Sequence, residues 1–176
     1  MNDLKNLMNV RQTTFNFCDR SVGVHTGILS MFESIEEALS NQLTINKNQY
    51  ITFCGHSLGG AIAQFAAAYY GHMSNYNIEV SCHTFGAPRL GDKEFNRWLQ
   101  DGATDIVNMV TPGDLIPLFP LTRNYCIDEN TVIIDRGRIA SKRKLNRNPF
   151  DEHDLDTYIE AIRMYSELQK APKILI

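Results

Sequence analysis

Tyr50-Ile51-Thr52-Phe53-Cys54-Gly55-His56-Ser57-Leu58-Gly59-Gly60-Ala61-Ile62-Ala63 runs from an apolar strand through a glycine corner into an alanine-rich helix. Tyr50 to Cys54 is short and apolar, bounded by Gly55, as a buried strand is. Gly60 to Tyr70 is helical in composition, and Gly71 suits its C-terminal end. Between them, residues 55 to 59 spell G-x-S-x-G. In that strand-to-helix context the pattern is a nucleophile elbow, with Ser57 raised on a turn too tight for most side chains. Gly55 and Gly59 are expected to remove side chains that would clash, and Gly60 to keep helix and strand close. His56 is expected to point away from the serine. The N–H of Leu58, opening the helix, is the natural donor for half of an oxyanion hole.

Working outward, Thr26 to Leu39 carries apolar residues at helical spacing, and Asn46-Lys47-Asn48 reads as a turn. Ile78 to Phe85 is a second strand stopped by Gly86-Ala87-Pro88, and Asp92 to Leu99 a short helix bearing Trp98. Ile106 to Val110 is a third strand, followed by a proline-rich loop. Tyr125 to Ile127 and Thr131 to Ile134 read as a hairpin around Asp128-Glu129-Asn130. Residues 1 to 24 show no firm period, Arg136 to Pro149 is a basic loop, and Asp154 to Gln169 is a final helix. Strands alternating with helices predict an α/β fold: a mostly parallel central sheet with helices on both faces.

Length and composition narrow the function. A chain of 176 residues most simply forms one domain. With 43% hydrophobic and 21% charged residues it has the composition of a globular protein, and a net charge of -3 does not suggest nucleic acid as a partner. No stretch reaches the roughly 18 apolar residues of a membrane span. The first residues lack an apolar signal core, which slightly favours a cytoplasmic setting. Cys18, Cys54, Cys82 and Cys126 have no metal-binding spacing, and Cys54 and Cys82 lie in apolar runs, as buried free thiols do. No metal or cofactor is expected.

A serine hydroxyl needs a base to take its proton. In elbow-bearing hydrolases the partners follow in the order Ser, Asp or Glu, His, each in a loop after a strand. Of five histidines, only His153 comes late, in the polar loop Asp151-Glu152-His153-Asp154 before the last helix. For the acid, Asp114 sits after the third strand, held between Pro112 and Pro117 in an otherwise apolar loop. There a rigid carboxylate would fix the imidazole tautomer. Asp92, Asp105 and Asp128 fit helix starts or turns better.

Taken together these segments resemble the class 3 lipases, the family of the filamentous-fungal triacylglycerol lipases. The resemblance runs from about residue 2 to 165 and rests on several motifs in order. They are Val24-His25-Thr26-Gly27, the elbow, Thr84-Phe85-Gly86-Ala87-Pro88-Arg89-Leu90-Gly91, Asp114-Leu115-Ile116-Pro117 and His153. It implies an α/β-hydrolase fold, a Ser57-Asp114-His153 triad, and acylglycerols as substrates. His25 and His83 become structural. The Ser-to-Asp spacing matches the family, and the Asp-to-His spacing is short for it. Family members carry an earlier strand and an Arg-Gly-Thr/Ser-type loop that supplies the second oxyanion donor and leads to a lid. Here Asn2-Asp3-Leu4 resembles the segment just after that loop, so the domain, residues 1 to 176, is expected to lack the N-terminal strands. Val10 to Thr14 faintly echoes the loop but lies too close to His25.

Two functional readings follow. One is a serine carboxylic ester hydrolase acting on lipid or small esters. The other is a weak or inactive lipase-like interaction protein with an incomplete oxyanion hole. Leu115, Ile116, Leu118, Phe119 and Leu121, beside the acid, are either an acyl-binding wall or core under a long loop. The basic residues Arg136, Arg138, Lys142, Arg143, Lys144 and Arg147 are either a solvated loop or a peripheral contact with an anionic lipid surface.

Overall fold

The computed structural model describes residues 10–43, 50–73, 78–134 and 151–170. Three sequence expectations fall outside these residues: the Asn2–Leu4 segment, the Asn46–Asn48 turn and the basic stretch from Arg136 to Arg147. The described elements are strands β1 (Gln12–Phe17), β2 (Arg20–His25), β3 (Tyr50–His56), β4 (Glu79–Phe85), β5 (Asp105–Val110) and β6 (Thr131–Ile133). The helices are α1 (Thr26–Gln42), α2 (Leu58–Gly71), α3 (Lys93–Gly102) and α4 (Leu155–Lys170).

Strands β3, β4, β5 and β6 form a four-stranded sheet in that order, every pair parallel. The β3–β4–β5 succession with α2 and α3 as crossovers follows the sequence reading. Parallel neighbours need such a crossover, because each strand must return to the same end of the sheet. Alternation along β4 sends Val80 and Cys82 into the main core with Phe65, Phe95, Trp98 and Leu99 from α2 and α3. Phe85 and Met109 point the other way, against Tyr158 and Ala161 of α4. Helices therefore cover both faces.

Two expectations are corrected here. The first 24 residues hold a hairpin: β1 and β2 pair antiparallel with Phe17 opposite Arg20, leaving Cys18 and Asp19 as the loop. Cys18 takes φ 53°, the left-handed backbone that a two-residue hairpin loop requires. Phe15 and Phe17 stack near Trp98, while Val22 and Val24 are buried. That hairpin absorbs Gln12 to Thr14, so the faint echo of an oxyanion loop is strand. The second correction concerns residues 125–134. Tyr125 to Ile127 is not a strand, and Thr131–Ile133 joins the sheet parallel to β5. The Asp128 carboxylate explains this. Its Oδ1 accepts from the Asn130 N–H at 2.9 Å and its Oδ2 from Asn108 Nδ2 at 2.8 Å. The turn is thus tied to β5 and not to a partner strand of its own.

Cysteine burial also divides. Cys82 is buried, and burial pushes its thiol up to about 12. Cys54 is exposed, against expectation, because it lies on the β3 face opposite the one that packs into the main core. All four thiols are free. Among the described residues no helix is long and apolar enough to cross a membrane.

Candidate active site

At the end of β3 the chain turns sharply. Ser57 has φ 57° and ψ -129°, a conformation L-residues rarely adopt, and its N–H donates to Phe85 O at 2.9 Å. That bond pins the corner to β4. A Cβ on Gly55 would collide with the Gly59 carbonyl, and one on Gly60 would lie 2.8 Å from Ala87 Cβ. Both glycines are required by close approach. Gly59 is different: a Cβ there meets nothing within 4 Å, so its expected clash-relieving role is not what the geometry shows. Leu58 begins α2. The first N–H groups of a helix lack intrahelical partners and sit at its positive end, which suits them to a developing oxyanion.

The three residues singled out from sequence converge on one another. Ser57 Oγ lies 2.7 Å from His153 Nε2, and His153 Nδ1 lies 2.9 Å from Asp114 Oδ2. They arrive from three places: the corner after β3, the loop after β5, and a short 3-10 turn, Asp151–His153, before α4. The Asp114 side chain is fully buried. Its Oδ1 accepts from the Ile116 N–H at 2.9 Å, which locks the carboxylate to its own loop. Thr111 Oγ1 donates to Glu152 O at 3.0 Å, and Thr157 Oγ1 donates to Asp151 O at 3.0 Å. The first bond holds the histidine turn against the β5 end, and the second ties it to the start of α4.

Three neighbours escaped the sequence reading. His56, expected to face away, packs its ring 4.7 Å from the His153 ring and bonds through Nε2 to His153 O at 2.7 Å. Burial lowers its pKa below the usual histidine range. Tyr158 donates its O–H to Asp114 Oδ2 at 2.5 Å. Gly86, at φ 59°, faces the whole cluster: a Cβ there would lie 2.7 Å from Asp114 Oδ2 and 3.1 Å from His153 Nδ1. Gly86 was legible as a strand stop, and Tyr158 only as a residue within the last helix. Neither pattern says what a residue touches across the fold.

The competing candidates have other partners. Asp92 caps α3 through Phe95 N and also accepts from Gly23 N. Asp105 pairs with His83 at 2.9 Å. His25 caps α1, its Nδ1 accepting from the Gly27 and Ile28 N–H groups. His72 bonds to Trp98 O at 2.8 Å. Beside the acid, Ile116 is buried, whereas Leu115, Leu118, Phe119 and Leu121 are exposed. A cavity of about 460 Å³ reaches this loop at Pro117 and Leu118. No group of three or more His, Cys, Asp or Glu among the described residues could hold a metal.

The arrangement is similar to known proteins. The family model "Lipase (class 3)" matches residues 1–124, ending before His153. Phospholipase A1-IIbeta of Arabidopsis thaliana is 30% identical over 141 residues, 74% of this chain and 34% of the relative. Protein EDS1B of Arabidopsis thaliana is 34% identical over 146 residues, 72% of this chain and 23% of the relative. The crystal structure of a mono- and diacylglycerol lipase from Aspergillus oryzae shares the fold at a TM-score of 0.56 and 24% identity, covering 68% of this chain and 45% of that one. The chain thus spans about a third of the first of these curated relatives, less of the second, and under half of that solved chain. An α/β-hydrolase sheet, the strand-elbow-helix corner and a family match over most of the sequence agree, and the chain belongs to the class 3 lipase family.

Proposed function

We propose that this chain hydrolyses carboxylic esters through a covalent acyl-enzyme, with Ser57 as nucleophile, His153 as general base and acid, and Asp114 as its orienting carboxylate. The hydrogen-bonded series Ser57 Oγ, His153 Nε2, His153 Nδ1, Asp114 Oδ2, with spacings of 2.7 and 2.9 Å, carries this reading. Ser57 Oγ attacks the acyl carbonyl while its proton passes to His153 Nε2. The carbonyl oxygen becomes an oxyanion facing the Leu58 N–H. Collapse expels the alcohol, which takes the proton from Nε2. Water repeats the sequence, frees the acid and restores the hydroxyl. The 124-residue family match stops before the base, so the reading of His153 is supported by its hydrogen bonds and its late place in the chain.

Lipid esters are the substrate class we favour. The exposed side chains of Leu115, Leu118, Phe119 and Leu121 lie in the loop that bears Asp114. Clustered exposed apolar residues beside a reactive centre suit an acyl chain or the face of a lipid aggregate. Acylglycerols and phospholipids both present such an acyl ester.

A fluorophosphonate probe tests the reading. Wild-type chain should be covalently labelled and should release p-nitrophenol from acyl esters, and Ser57→Ala should do neither. An unlabelled wild type, with intact fold, would sink the hydrolase reading and leave a lipase-like interaction protein in its place.

A further inference from the structure

Tyr158 shares a single carboxylate oxygen with His153. Its hydroxyl lies 2.5 Å from Asp114 Oδ2, and His153 Nδ1 lies 2.9 Å from the same atom. The tyrosine is 0% exposed. The direction of its proton is fixed by bookkeeping. The Thr111 N–H, 3.3 Å away, can only donate, so it uses an acceptor site on the phenol oxygen. The phenol's own proton is left for Asp114. Burial, reinforced by the adjoining carboxylate, raises the phenol's pKa well above its usual value, so it remains a donor across the working range.

Tyr158 and His153 also approach together. The 3-10 turn ending at His153 leads straight into α4, and Tyr158 is in the first turns of that helix. Docking of one helix entrance therefore brings two donors onto one oxygen. With the Ile116 N–H on Oδ1, the carboxylate is held at both ends. Oδ2 must divide its charge between an imidazole and a phenol.

We propose that Tyr158 is a positioning residue for Asp114: it fixes the rotation of the carboxylate and draws off part of the charge that would otherwise act on His153. The kinetic part of this inference rests on the hydrolase reading above, and the spectroscopic part does not. Removing the hydroxyl has two consequences. The carboxylate gains rotational freedom, so the imidazole is less often aligned with Ser57 and kcat falls while KM holds. The undivided charge on Oδ2 stabilises the imidazolium, so the acid limb of the rate profile moves to higher pH. Among the described residues, the ionisable groups around His153 are Asp114, Tyr158 and His56, with Asp151, Glu152 and Asp154 in its own segment. Of these, the substitution alters only Tyr158.

Tyr158→Phe keeps the ring and its contacts with Phe85 and His56. With p-nitrophenyl butyrate, kcat should fall on the order of 10- to 100-fold, KM should change little, and the acid limb should shift upward. In parallel, the far-downfield proton of the His153–Asp114 hydrogen bond is followed by NMR in the chain without substrate. Its resonance should move in Tyr158→Phe. It should move the opposite way when 3,5-difluorotyrosine, a stronger donor that preserves the hydroxyl, replaces Tyr158; this second variant also serves if the phenylalanine form does not fold. An inactive wild type whose resonance still responds would keep the positioning role and remove the hydrolase reading. An unmoved resonance in both variants, or an unchanged rate and pH profile in an active Tyr158→Phe enzyme, would overturn the proposal.

Discussion

Gly86 and Asp114 approach so closely that a methyl group on the glycine would lie 2.7 Å from Asp114 Oδ2 and 2.8 Å from the Tyr158 hydroxyl. Gly86 also holds φ 59°, where an L-residue is strained by roughly 1–2 kcal/mol. Gly86→Ala should therefore lower the urea midpoint modestly and depress ester hydrolysis on the order of 100-fold, since misplacement at a reacting centre is costly. An alanine variant with wild-type turnover would show that the cluster tolerates the shift.

Ser57 stores strain of another kind. Its φ 57°, ψ -129° backbone should cost on the order of 1–3 kcal/mol in any residue with a Cβ. Glycine relieves it while paying less than about 1 kcal/mol in chain entropy. Ser57→Gly is expected to be more stable than Ser57→Ala by about 1 kcal/mol, with both inactive. Paired urea melts check this, and a less stable glycine variant would mean the corner is not strained.

His56 should make stability depend on pH. It is charged when protonated, and burial sets its folded pKa below the ordinary 6.5. Between that folded value and 6.5 the unfolded chain binds a proton that the folded chain lacks. Unfolding free energy should then rise with pH across this window, be complete above it, and be lost as pH falls through the folded value. Urea midpoints taken through the window should show the rise in wild type and a smaller one in His56→Gln.

Thiol chemistry should follow burial. Cys82, with its pKa pushed up to about 12, should resist iodoacetamide in the native chain at mildly alkaline pH. Exposed Cys18 and Cys54 should react readily. Peptide mapping before and after denaturation distinguishes them, and early modification of Cys82 would indicate an open sheet face.

The apolar rim beside the acid makes a substrate-dependent prediction. Leu121 is 68% exposed and should contribute little to folding. If it meets lipid, Leu121→Asp should slow hydrolysis of emulsified triacylglycerol about tenfold, the order expected for removing one buried leucine from contact. Turnover of a short, monomeric ester should stay within about twofold, because uniform binding and not chemistry is lost. Equal effects on both substrates would place Leu121 in the folding of the loop.

The sequence by itself determined the elements whose physics is local. Apolar runs stopped by turn residues marked β3, β4 and β5, helical spacing marked α1, and the glycine pattern at 55 and 59 marked the corner that presents Ser57. Residue type and order were enough to single out Asp114 and His153, which the fold brings within hydrogen-bond distance of each other. What the tertiary structure alone decided depends on neighbours distant in the chain. β6 pairs parallel with β5 because the Asp128 carboxylate bonds across to Asn108, a partner no local window contains. Cys54 is exposed and Cys82 buried although both lie in apolar runs, because Cys82 points into the core beneath α2 and α3 whereas Cys54 points to the opposite face on the edge strand β3. Tyr158, His56 and Gly86 gather around one carboxylate and one imidazole for the same reason: hydrogen bonds and close contacts are set by distance in space, and spacing along the chain does not encode them.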